Sequence, residues 1–364
     1  MTYRATTYRA AVVRSAHGPV AIEDVPLRDP VGDEVAIDVT ACGLCHSDVH
    51  FMHGTSGTDF PYVVGHEVAG RVSAVGPNAT GARVGDSVVV APMVPCGRCK
   101  HCTGGRPAAC AARLLRRPAI PLADGTPGNP VLGVGGLAER VLVPARNVVA
   151  IDPGVPPEIA ALLGCGVPSG YGAAVNTAEV GPADDVAVIG CGAVGVAAIA
   201  GAAAAGAARI IAVDVNAAKL AVAREFGATD TVDASTQDAV DAVRGLTGDA
   251  GADVVLDAVG GPATFGVANG MRAVGSRLVV VGAPKVGDTV DLPLRGLFLT
   301  GGSIRVSIWG DCVAARDLPL LAGRYLDGSL PLDKYLTGTF SLASAAQGYE
   351  QLLAGQVLRS VVLM

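Results

Sequence analysis

From Val186 to Ala208 the chain carries no charged residue, yet Gly190, Gly192, Gly195, Gly201 and Gly206 interrupt the run. A stretch of that length could cross a bilayer. A buried strand, a glycine turn and a packed helix explain the same residues and also explain the glycines. Val186 to Ile189 reads as the strand, and Gly190-Cys191-Gly192-Ala193-Val194-Gly195 then gives G-x-G-x-x-G at the start of the helix. In that pattern one glycine makes the turn, one lets a pyrophosphate approach the backbone, and one lets helix and strand pack closely. The helix N-terminus adds N–H donors and a positive dipole end.

With 49 glycines in 364 residues, chance matches to such a motif are easy, so the context has to carry the reading. Strand and helix patterns alternate beyond it: Val186 to Ile189, Arg209 to Val213, Asp253 to Leu256 and Arg277 to Val281 as strands, with helices at Asn216 to Phe226 and Gln237 to Leu246 between them. That rhythm predicts right-handed βαβ units and a doubly wound parallel sheet. The second strand ends in Asp214, nineteen residues after Gly195, where a carboxylate accepts from both hydroxyls of an adenosine ribose. Val215 and Asn216 follow, with no Arg for a 2′-phosphate, which favours NAD over NADP. Asp214 could instead cap the next helix.

Before residue 165 the pattern is different: short alternations such as Val35 to Val39 and Asp86 to Val90, broken by Gly and Pro, predict many short strands. After residue 309 the βα rhythm stops and Leu358 to Leu363 reads as a last strand. The expected layout is a β-rich domain over 1–167, an inserted dinucleotide domain over 168–308 and a return segment over 309–364.

Nine cysteines is an odd number, and Arg4, Arg9 and Arg14 leave no apolar core for a signal peptide, so a disulfide framework is not expected. An even spread would put fewer than one cysteine in a 15-residue window, yet Cys96, Cys99, Cys102 and Cys110 share one. Four thiolates in a loop, here 94–112, form the closed tetrahedral set of a structural zinc site. An iron–sulfur cluster uses the same ligands, but nothing else in the chain suggests electron transfer. Hydrophobic residues make up 50% of the chain and charged ones 16%, which excludes disorder. The net charge of −6, with scattered Lys and Arg, argues against nucleic acid. A soluble, cytoplasmic protein with no membrane partner is expected.

Three further segments stand out: Cys42-Gly43-Leu44-Cys45-His46-Ser47-Asp48-Val49-His50, Gly65-His66-Glu67 and Gly164-Cys165-Gly166. Spacing alone does not join them. With the four-cysteine loop, the glycine fingerprint, Asp214 and the terminal Gly355 to Ser360, they occur in the order found in zinc-dependent alcohol dehydrogenases of the medium-chain dehydrogenase/reductase superfamily, which the chain resembles over nearly its whole length. The resemblance implies a GroES-like catalytic domain around a Rossmann domain. It implies two zincs per chain, one held by the four-cysteine loop and a catalytic one on Cys45, His66 and Cys165 with an open fourth position. Asp48 would orient His66, and Glu67 would lie close to the metal. Ser47 and His50 would relay the alcohol proton by way of the cofactor ribose. His46 and Arg359 would meet the cofactor pyrophosphate and Lys219 the adenosine ribose, beside Gly190, Gly192, Ala193, Val194, Gly195 and Asp214.

The activity implied is hydride transfer between NAD(H) and a primary alcohol/aldehyde pair, in a homo-oligomer dimerising through the Rossmann domain or forming a tetramer. Asn176-Thr177, Val188 to Gly192, Trp309-Gly310-Asp311-Cys312 and Leu358 to Met364 are similar to actinobacterial formaldehyde dehydrogenases that depend on a small thiol such as mycothiol. An S-hydroxymethyl thiol adduct is therefore the second substrate expectation, and a specialised aldehyde, ketone or iminium the third. Against a cofactor-binding scaffold without catalysis stands the survival of every implied ligand. Cys42, Cys191 and Cys312 read as structural. Arg113, Arg116 and Arg117 fit either a substrate anion or solvated surface, and Trp309 either a substrate cleft or internal packing.

Overall fold

The computed structural model describes residues 6–114 and 118–364, and the chain divides into two compact units, 1–165 with 313–364, and 166–312. Arg116 and Arg117 lie outside the described residues. In the second unit six parallel strands run in the spatial order Asp230–Asp233, Arg209–Asp214, Asp185–Ile189, Ala252–Asp257, Arg272–Val280 and Ser303–Val306. This is the 3-2-1-4-5-6 order of a dinucleotide-binding sheet. The order reverses beside Asp185–Ile189, whose C-terminal end feeds the glycine turn and the helix Ala193–Ala204. The uncharged run is therefore strand, turn and helix, and among the described residues no helix is long and apolar enough to cross a membrane.

The strand expected at Arg277 to Val281 begins earlier, at Arg272, because Gly275 takes φ 79° and its pairing with Ala252–Asp257 shifts register between Ala252 and Val254. Propensity cannot register such an irregularity. The core of this unit collects Ile211, Val213, Val255, Met271 and Leu278 from the strands and Val243 from a helix.

The first unit holds two sheets. One is five-stranded and contains Thr6–Val13 and Ala21–Leu27, and the other is seven-stranded around Glu34–Leu44. Glu34–Leu44 pairs antiparallel with Glu67–Val75 on one side and with Ser360–Leu363 on the other. The chain end therefore returns to the centre of the sheet that began near residue 34. Ile37, Leu44, Val68, Leu137 and Val362, all with side chains out of water, fill the core between these layers.

Candidate active site and metal centres

Cys45 ends the strand Glu34–Leu44 and is the N-cap of the helix His46–Met52. His66 directly precedes Glu67–Val75, and Cys165 follows the helix Pro157–Leu162. Strand and helix ends thus carry distant residues to one point. Ligand atoms of Cys45, His66, Glu67 and Cys165 all lie within 4.8 Å of one another. His66, Glu67 and Asp48 are fully buried.

Asp48 Oδ1 accepts from Gly65 N at 2.9 Å and from His66 Nδ1 at 3.0 Å. That bond places the His66 proton on Nδ1 and turns Nε2 toward the sulfurs, and Nε2 has no protein partner. Burial alone would lower the His66 pKa, but the Asp48 charge and hydrogen bond and the Cys45 sulfur outweigh it and raise the pKa to about 10. The Cys45 thiol is held well below its ordinary range by its hydrogen bond to Cys165, against burial, and by the positive charge of Arg359 and by His66.

Arg359 is buried and donates from Nη2 to Glu67 Oε1. Glu67 Oε2 rests over Gly43, where a Cβ would come within 2.0 Å of it, so a larger residue at 43 would displace the carboxylate. The Cys45 thiol, held low, and the carboxylates of Asp48 and Glu67 gather at this point, against the positive charge of Arg359 and the imidazole of His66. Uncompensated buried charge is costly. The donor set and the orphaned Nε2 therefore fit a divalent, borderline-soft cation such as zinc.

Cys96, Cys99, Cys102 and Cys110 form a second group whose sulfurs also lie within 4.8 Å of one another. Backbone N–H groups of Arg98 and Cys99 pull the Cys96 thiol down to about 6, whereas desolvation and the neighbouring sulfurs push Cys102 up to about 11. A cation in their midst would relieve that conflict and let all four ionise. All four donors of this group are cysteine sulfurs, three of them half-buried and Cys110 buried.

In the second unit each glycine of the fingerprint has a distinct environment. Gly190 has φ 85°, a Cβ on Gly192 would meet nothing within 4 Å, and a Cβ on Gly195 would lie 1.7 Å from Gly190 O. Turn, open approach and tight packing are the three properties a pyrophosphate cradle needs. Asp214 accepts from Cys191 N at 2.7 Å and from Asn216 N at 2.9 Å. The next helix, Ala217–Glu225, is capped by Asn216, so the alternative in which Asp214 caps it falls away. Lys219 stands in the first turn of that helix, near enough to Cys191 to influence its thiol.

His46, Ser47 and His50 share the helix that Cys45 caps. His50 Nδ1 lies 3.2 Å from Thr55 Oγ1, whose single proton goes to the His50 carbonyl at 3.0 Å. Thr55 can then only accept from the ring. That arrangement suits the Nδ1–H tautomer, with Nε2 as the acceptor.

Cys42, Cys191 and Cys312 are all buried, and none of the nine cysteines is in a disulfide. Burial pushes the Cys42 thiol well up, and burial and then Asp214 push Cys191 up to about 12, so neither is a reactive thiol. Arg113 lends its carbonyl to Val94 N at 2.8 Å, beside the four-cysteine lobe. Trp309 is buried, and Trp309, Gly310 and Asp311 take φ of 56°, 67° and 48° in succession. Asn176 Nδ2 donates to Gly310 O at 3.1 Å and Thr177 Oγ1 to Asp311 Oδ2 at 2.8 Å, which holds this left-handed turn.

Two residues near the first centre carry no sequence signal. Burial and the charges of Cys45 and Cys165 raise the Tyr335 hydroxyl well above 10, and burial with Asp48 does the same to Tyr349. Both come from the return segment, in apolar surroundings that any aromatic residue would suit.

A dinucleotide-type sheet in one unit, with a Cys/His/Glu/Cys cluster and a four-cysteine cluster in the other, is the combination found in metal-dependent oxidoreductases. The profile of the alcohol dehydrogenase GroES-like domain matches residues 32–153, and that of the zinc-binding dehydrogenases matches 193–323. A probable S-(hydroxymethyl)glutathione dehydrogenase of Schizosaccharomyces pombe is 33% identical, the match covering 98% of this chain and 97% of that one. A putative alcohol dehydrogenase D of Mycobacterium tuberculosis is 35% identical, covering 97% and 99%. The crystal structure of benzyl alcohol dehydrogenase from Acinetobacter calcoaceticus superimposes with a TM-score of 0.92 at 30% identity, covering 99% of both chains. The chain belongs to the zinc-dependent alcohol dehydrogenases of the medium-chain dehydrogenase/reductase superfamily.

Proposed function

We propose that the protein interconverts a primary alcohol and its aldehyde with NAD(H), using a catalytic zinc on Cys45, His66 and Cys165 and a structural zinc on the four-cysteine lobe. The observation that carries this reading is the buried His66 Nε2, without a protein partner and turned toward the thiols of Cys45 and Cys165 by its bond to Asp48. When bound, zinc supplies Lewis acidity at its open position and the nicotinamide supplies the hydride acceptor or donor. The first unit is then the catalytic domain and the second the cofactor domain.

The rest is work for side chains. Asp48 holds the His66 tautomer, and the Arg359–Glu67 pair sets the charge beside the ligands. His50, with Thr55 on Nδ1, offers Nε2 as the last proton acceptor of a relay that starts at Ser47. Asp214, Lys219 and the glycine turn, including Ala193 and Val194, receive the adenosine and pyrophosphate. His46 and Arg359 are proposed for the same pyrophosphate. NAD is preferred because Asp214 is followed by Val215 and Asn216 rather than by a cation.

The test is NADH absorbance with NAD or NADP and a panel of primary alcohols, including formaldehyde with and without small thiols, beside metal content. Reduction of NAD by simple alcohols with two zincs per chain is the expected result. The thiol-adduct reading is supported by the name of the Schizosaccharomyces pombe relative, a probable S-(hydroxymethyl)glutathione dehydrogenase, and reduction only with formaldehyde and thiol together would select it. Replacing His50 with Ala should slow alcohol oxidation about 10-fold near neutral pH, with recovery at high pH or on adding imidazole. An unchanged rate at every pH would remove His50 from the relay.

We also propose a cytoplasmic homodimer, its reducing surroundings keeping six cysteines available to metal. The helix Leu294–Thr300 buries none of its residues, and Leu294 and Phe298 are 79% and 85% exposed beside the edge strand Ser303–Val306. An apolar face next to an unpaired edge suits a second copy of the chain. Phe298→Asp should shift the sedimentation coefficient from dimer to monomer, and a variant that remains dimeric would locate the interface elsewhere.

A further inference from the structure

Asp48 is fully buried, and its two oxygens are unequally used. Oδ1 takes both N–H groups, from Gly65 and His66, while Oδ2 has no partner closed on it. The hydroxyl of Tyr349 is also buried and also without a closed partner. Tyr349 lies on the helix Ala345–Leu353, which packs against the helix His46–Met52 that carries Asp48. Burial first and then the Asp48 charge raise the phenol well above its ordinary range. Two packed helices thus carry one buried hydroxyl able to donate and one buried carboxylate oxygen with a spare lone pair, and buried polar atoms of that kind pair when they can.

The surrounding core gives no reason for the oxygen. Leu44, Leu352 and Val362 belong to the same apolar cluster as Tyr349, and a phenyl ring would serve that cluster as well. We propose that the Tyr349 hydroxyl is a positioning residue that donates to Asp48 Oδ2 in the zinc-loaded enzyme, completing a Tyr349–Asp48–His66 chain behind the catalytic metal. With Oδ2 anchored, the carboxylate cannot swing, Oδ1 stays on His66 Nδ1, and Nε2 keeps its aim. Outer-shell partners of this kind are worth about 10- to 100-fold in metal affinity.

The inference rests on the catalytic-zinc reading given above, and one experiment separates the two. Zinc release from the purified holoenzyme to a chromophoric chelator is followed for the native protein, Tyr349→Phe, and Leu352→Val as a packing control on the same helix. The native protein should release zinc in two phases, one for each centre. Tyr349→Phe should speed only the catalytic phase, by about 10-fold, and shift the ligand-field bands of the cobalt-substituted site. Leu352→Val should lower Tm without moving either. Equal release from Tyr349→Phe and the native protein, or equal acceleration by Leu352→Val, would overturn the assignment. Native protein holding only the zinc of the four-cysteine lobe would overturn the catalytic-zinc reading itself.

Discussion

Replacing Cys45 with Ala is expected to cost about 10³-fold or more in alcohol turnover while leaving the chain folded. On the proposed ligand set of Cys45, His66 and Cys165, the variant keeps two ligands of three and one thiol of two. Lewis-acid assistance is worth several kcal/mol to the transition state, and each ~1.4 kcal/mol is tenfold in rate. Metal analysis should fall from two zincs per chain to one, because the lobe of Cys96, Cys99, Cys102 and Cys110 is untouched. Cys45 also ends the central strand and caps a short helix through its backbone alone, with no side-chain cap bond, so truncation removes no cap. Retention of both zincs, or turnover within tenfold of the native enzyme, would show that Cys45 is not a ligand.

The second large effect is on stability. Cys102→Ala should leave three thiols where four are needed and let the segment 94–112 unfold locally. That segment has little else to hold it: its helix Lys100–Thr103 is one turn long and buries no residue. Structural zinc contributes on the order of 10 kcal/mol in isolated small domains. Loss of even half of that would lower Tm by about 10 °C or more in a unit of this size. Hydrogen exchange confined to the lobe is the direct measurement, and chelation of the native enzyme should reproduce it. Protection in 94–112 that survives both treatments would mean that the lobe is held by packing.

The dinucleotide unit was the most legible part of the chain. Its inner strands Asp185–Ile189, Arg209–Asp214 and Ala252–Asp257 are largely buried and read as short apolar runs. The more exposed Asp230–Asp233 and Ser303–Val306 gave no such signal, and the helices between begin where Asn216 and Asp238 supply caps. The four-cysteine lobe was legible because all its ligands lie in one local loop. In the catalytic centre the residues were legible only as a resemblance. Cys45, His66 and Cys165 are separated by 20 and 98 intervening residues, and only the antiparallel pairing of Glu34–Leu44 with Glu67–Val75 brings the first two together.

What the sequence determined by itself follows from local physics. Period-two and strand–helix rhythms set the fold class, glycine spacing set the cofactor turn, and clustered thiols set the lobe. The tertiary structure decided which long-range partners complete the site. It set Arg359 against Glu67 and Asp48 behind His66, and it packed the helix that carries Tyr349 against the helix that carries Asp48. Such pairings leave no periodic trace, because a buried polar atom is satisfied by whichever group the fold carries to it, however far away in the chain that group lies.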